Sequence, residues 1–102
     1  METIALSNTQ MTRLKTALRT TTTDENLEQE ISDLVNAFAL DAKLAGITNE
    51  DLDDPLVWMA AVTFVRLKFG SPDEYDRLKQ AYDEQKAQMS MATGYTSWTG
   101  LL

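Results

Sequence analysis

Apolar positions in this chain recur in steps of three and four, the spacing of one helix face, and they fall into blocks divided by turn chemistry. Met11, Leu14 and Leu18 form the first block. Ser7 with Gln10 three residues on predicts a capping box, so a helix opens near Asn8, with Leu6 and Met11 placed to form a hydrophobic staple. The run Thr20–Thr23 is expected to end it, because threonine is stiff at χ1 and its hydroxyl competes for backbone partners. A second helix opens after Asp24, an N-cap residue, with Glu25 and Glu28 in its first turn, where the dipole favours anions. Its apolar face is Leu27, Ile31, Leu34, Val35, Phe38, Ala42 and Ala45, and Gly46 is its stop.

After a connector over Ile47–Asp53, in which Thr48 can open one helical turn, Asp54 caps a third helix and Pro55 takes its first position. This helix runs to Phe69 and stops at Gly70. It is apolar around almost its whole circumference, which predicts enclosure by other helices. Ser71, Pro72 and Glu74 then carry cap, first-position and capping-box signals for a fourth helix, whose thinner stripe is Tyr75, Leu78, Ala81, Tyr82 and Met89. From Ala92 the chain has neither charge nor helical period, and Gly94 and Gly100 break it twice. The expected architecture is all-α: a small bundle of about four helices around a central apolar one, a helical domain over 1–91 and a non-helical C-terminal tail over 92–102.

Charge and composition narrow the function. The 102 residues carry a net charge of −7, which opposes binding of duplex DNA through phosphate neutralisation but not passage of DNA past an acidic wall. The sequence has neither Cys nor His, so thiolate chemistry, disulfides and imidazole catalysis or ligation are excluded together. The apolar run from Leu56 is broken by Thr63, Arg66 and Lys68 and falls short of the roughly 20 residues that span a bilayer. A soluble chain without cofactor or metal is expected.

Several clusters invite a functional reading, each beside a structural one. The acids Glu50, Asp51, Asp53 and Asp54 fail the EF-hand pattern: counted from Asp51, the required Gly is Leu56 and the required Glu is Val62. Capping and a solvated connector account for them. Asp24, Glu25, Glu28, Glu30 and Asp33 read as the wet face of the second helix rather than as paired catalytic carboxylates. Arg13, Lys15 and Arg19 give the first helix a basic face suited to salt bridges with an acidic neighbour, within the chain or between subunits. Trp58 and Phe64 suit either the core or a subunit contact, and Arg66 on the same helix joins them as an interface candidate. Tyr95 and Trp98, with Leu101 and Leu102, suit either local packing or an anchor on a partner. No phosphate-binding loop, nucleophile elbow or metal-binding helix motif occurs, which points to a non-enzyme.

Several segments in order resemble phage head–tail connector (adaptor) proteins of long-tailed phages. They are Leu14-Lys15-Thr16-Ala17-Leu18-Arg19, Glu30-Ile31-Ser32-Asp33-Leu34-Val35-Asn36-Ala37, Asp54-Pro55-Leu56, and Lys68-Phe69-Gly70-Ser71-Pro72, with Tyr75 and Tyr82 before Lys86. The likeness spans most of residues 11–91. It departs at Thr20, where the family usually has an apolar residue, and the tail from Ala92 has no counterpart.

The resemblance implies a virion protein at the head–tail interface, made in the host cytoplasm. It implies a homo-oligomeric ring, dodecameric in the virion, between the portal protein and the head-closure (stopper) protein. DNA passes through the lumen without sequence-specific binding, and no membrane is involved. The tail, through Tyr95 and Trp98, would then reach the portal. The residues also admit another class: a small acidic regulatory binder or DNA mimic acting on a basic nucleic-acid-binding protein, its carboxylates imitating phosphates.

Overall fold

The structure, a computed structural model, describes residues 4–20, 24–49, 51–69 and 74–91. These fold into four helices, α1 (Asn8–Ala17), α2 (Glu25–Leu44), α3 (Pro55–Phe69) and α4 (Tyr75–Ser90). The chain is an all-α bundle. The expected tail, 92–102, lies outside the described residues.

The caps explain where the helices begin. Ser7 Oγ accepts from the Gln10 N–H at 3.1 Å while Gln10 Oε1 accepts from the Ser7 N–H at 3.0 Å, so the capping box of α1 is complete. Asp24 Oδ1 accepts from the Asn26 N–H at 2.9 Å at the head of α2. In the connector, Asn49, Asp51 and Asp54 each accept a bond from the backbone N–H two residues on, at 2.9, 3.0 and 2.9 Å. Asp51, Asp53 and Asp54 thus belong to a run of side-chain-supported turns leading into α3; Glu50 lies outside the described residues, and Thr48 and Asn49 are not helical. Ahead of α4, Ser71–Asp73 lie outside the described residues, and the α-helix proper starts only at Tyr75. The Glu74 carboxylate accepts from Arg77 Nη2 at 2.8 Å and lies 3.9 Å from Arg66 Nη2.

α1 and α2 end in the same way. The Gly46 N–H donates to the Lys43 carbonyl and the Ile47 N–H to the Ala42 carbonyl, both at 2.9 Å, with Gly46 in the left-handed region at φ 87°. The Arg19 N–H donates to Thr16 and the Thr20 N–H to Lys15, both at 3.0 Å, with Arg19 at φ 58°. Both are Schellman closures. α1 therefore stops at Ala17, before the threonine run expected to end it, because three carbonyls of its last turn are already satisfied.

α3 is the centre. It packs most extensively on α4, then on α2, and least on α1. Val57, Trp58, Ala60, Ala61, Phe64, Val65 and Leu67 are all buried, on a helix with little segregation of polar from apolar positions. Leu14 from α1, Ile31, Val35, Phe38 and Ala42 from α2, and Tyr82 and Met89 from α4 complete the core with Ile47 and Leu52 of the connector. Two positions assigned to apolar faces are instead exposed: Ala45, the C-cap of α2, and Tyr75, 46% exposed in the first turn of α4. Among the described residues no helix is long and apolar enough to cross a membrane.

Candidate subunit interface

Arg13 leaves α1 one turn and a half after its cap and reaches the start of α3, where its guanidinium lies 4.6 Å from the centre of the Trp58 ring. Arg stacks on indole through the negative face of the ring, and the contact fixes a long, otherwise mobile cation. Below it opens a groove of about 400 Å³ between the N-terminal turns of α1 and α3, walled by Gln10, Arg13, Leu52, Pro55, Trp58 and Met59, with Asp53 on its connector side. Trp58 is 8% exposed and forms the floor; Met59, beside it, is 55% exposed and forms the rim.

Five other basic side chains, Arg77 beside Glu74 among them, pair with acids, and Lys68 lies 5.4 Å from the centre of the Phe64 ring. Lys15 pairs with Glu28 across α1 and α2, Lys79 with Asp83 at 2.9 Å along α4, and Lys86 with Asp41 at 2.9 Å across α4 and α2. Arg66 is engaged at the α3–α4 junction by Glu74. Arg19 is exposed at the end of α1. Of the interface candidates, Arg13 and Trp58 are therefore brought together, whereas Phe64, Arg66 and Arg19 each occupy a separate place. Phe64 faces inward, 6% exposed, and its ring meets those of Phe38 and Tyr82 at centroid distances of 6.1 and 5.3 Å. Tyr95, Trp98, Leu101 and Leu102 lie outside the described residues.

Two arrangements were not legible in the sequence. The first is a tie between α2 and α4. Tyr82, buried among Phe38 and Phe64, donates its hydroxyl to Asp41 Oδ2 at 2.5 Å, and Lys86 Nζ donates to the same oxygen at 2.9 Å while lying 4.7 Å from the Tyr82 ring centre. Burial, reinforced by the Asp41 hydrogen bond and charge, pushes the Tyr82 hydroxyl far above its usual range. Burial alone would raise the Asp41 carboxyl too, but the hydrogen bonds from Tyr82 and Lys86 and the Lys86 charge outweigh it and hold the group below the ordinary carboxylate value. Neither group changes protonation near neutral pH, so the trio acts as a structural tie.

The second is an anchor for the segment ahead of α1. The Asn36 side chain accepts from the Ile4 N–H at 2.7 Å and donates to the Ile4 carbonyl at 3.3 Å, doing for an extended segment what a neighbouring strand would do. It also donates back to the Ser32 carbonyl at 2.9 Å.

One outward feature completes the surface. Leu40 and Leu44 of α2 are 42% and 81% exposed, on the side away from the core. Their signal was present in the sequence: both fall outside the apolar face of that helix. Among the described residues no group of acids is arranged to hold a metal ion. Comparisons of the chain with protein-family models, with curated proteins and with solved structures found no match, so its geometry and sequence pattern carry the functional reading.

Proposed function

We propose that this chain is a structural subunit of a phage head–tail connector, a ring that sits between the portal and the head-closure protein while DNA passes through its lumen. The observation that carries the reading is a closed four-helix bundle of net charge −7 that still turns Leu40, Leu44 and Met59 outward. A monomer gains nothing from exposed apolar side chains, whereas a ring subunit covers them against its neighbours. The acidity suits a channel wall that must not retain phosphates. The ordered resemblance over residues 11–91 supports the same role, and the subunit performs no reaction. In the proposed assembly the aromatic tail, through Tyr95 and Trp98, anchors to the portal.

Negative-stain imaging of the purified protein, alone and with portal, tests the proposal. Rings are the expected outcome; a species that stays monomeric at high concentration and beside the portal overturns it. The second reading, an acidic binder of a basic nucleic-acid-binding protein, is favoured by exposed Glu25, Glu30 and Asp33 along α2. It predicts salt-sensitive binding to such a partner and no ring.

A further inference from the structure

α1 is held to the bundle differently from the other helices. The rings of Phe38, Phe64 and Tyr82 join α2, α3 and α4 to one another, and the bonds from Tyr82 and Lys86 to Asp41 reinforce them. No residue of α1 takes part in that cluster, and the helix buries a single side chain, Leu14. Met11 and Leu18 are only partly buried against the core. The remaining holds are polar and spread along its length. Asn36 of α2 clamps Ile4 ahead of the helix, Glu28 of α2 pairs with Lys15, and Trp58 of α3 carries the exposed Arg13. Water can replace each of these partners at small net cost, because the groups regain hydrogen bonds and hydration on release.

We propose that residues 4–18, the segment clamped by Asn36 together with α1, form a lid that opens as one piece while α2, α3 and α4 stay packed. The lid has no stable shape of its own. At 10 residues α1 is shorter than the roughly 12–15 below which an isolated helix is marginal in water. Undocking and unwinding are therefore one event, which uncovers the Trp58 ring and the seat of Leu14 in the core. The opened form is a minor species of the native ensemble, hidden beneath the global transition in an equilibrium melt. This inference goes beyond the connector reading and stands without it.

Native-state hydrogen exchange in increasing urea reads the opening amide by amide. In the wild type the bonded amides from Met11 to Leu18 are expected to share one level of protection, roughly tenfold or more below that of the buried part of α3. Their exchange should also depend less steeply on urea, because the lid exposes less surface than the whole bundle does. Asn36→Ala removes both bonds to Ile4 and is expected to speed exchange in α1 roughly tenfold while leaving α3 unchanged. Circular dichroism checks that the variant keeps wild-type helix content; Glu28→Gln, which weakens the pair with Lys15, replaces it if it does not. Equal protection and equal urea slopes in α1 and α3 overturn the lid. Protection graded inward from the ends of α1 overturns it too, since that is fraying rather than opening as one piece. A variant that speeds both helices alike, or neither, also overturns it.

Discussion

Arg19 occupies a backbone conformation that L-residues adopt only at a cost, φ 58°, at the position of its helix end where Gly46 stands in the other, with φ 87°. The left-handed region costs a side chain roughly 1–2 kcal/mol that glycine avoids, part of which is offset by glycine's greater freedom in the unfolded chain. Arg19→Gly is therefore expected to raise stability by about 0.5–1 kcal/mol, read as a higher urea midpoint at unchanged slope. Gly46→Ala is expected to lower it by about 1 kcal/mol, although an added Cβ at Gly46 meets nothing within 4 Å, because the cost lies in φ rather than in crowding. The two ends also show what a sequence reveals at this scale. Gly46 announces its turn by residue type. Arg19 announces nothing, and the threonine run signals a stop later than the real one; only the hydrogen bonds back to Lys15 and Thr16 show where α1 closes.

The helices themselves were legible because each has a start signal and a periodic face. What the pattern lacked was how the elements are tied. Phe38, Phe64 and Tyr82 come from α2, α3 and α4 and form a triangle of rings, with Phe38 and Tyr82 6.3 Å apart. The hydroxyl that Tyr82 brings into it finds Asp41, 41 positions away in the chain, and no local spacing forecasts such a partner. This tie titrates at both extremes of pH. Asp41 is held below its ordinary value of 3.8, so its contribution is fully present above pH 3.8 and is lost as pH falls through the depressed folded value. Tyr82 is raised above its ordinary 10.0, so its contribution is complete below pH 10.0 and declines as pH rises beyond it. Thermal unfolding followed against pH is expected to show Asp41→Asn flattening the acid limb and Tyr82→Phe the alkaline limb. Equal slopes in wild type and variants would remove the tie from the account of stability.

Across the whole molecule, the central position of α3 was readable from its lack of a polar face, and the structure surrounds it with α1, α2 and α4. The surface was less legible. Trp58 reads from sequence as core or contact and is both the floor of a groove and the platform for Arg13. Leu40 and Leu44 stand outside the apolar face of α2, and the periodicity that marks that face does not say what meets them. At this scale the proposed portal anchor is also testable. Tyr95→Ala with Trp98→Ala is expected to reduce capture by portal-bearing heads at unchanged helix content, and undiminished capture would remove the tail from the attachment. The enclosed helix has a further consequence for how the chain comes into being. α1 and α2 precede α3 in the chain and α4 follows it, so the N-terminal half has nothing to fold around until Phe69 has been made, and the core does not close until Met89 has. The bundle is therefore expected to form late and as one cooperative unit, once α4 has been made.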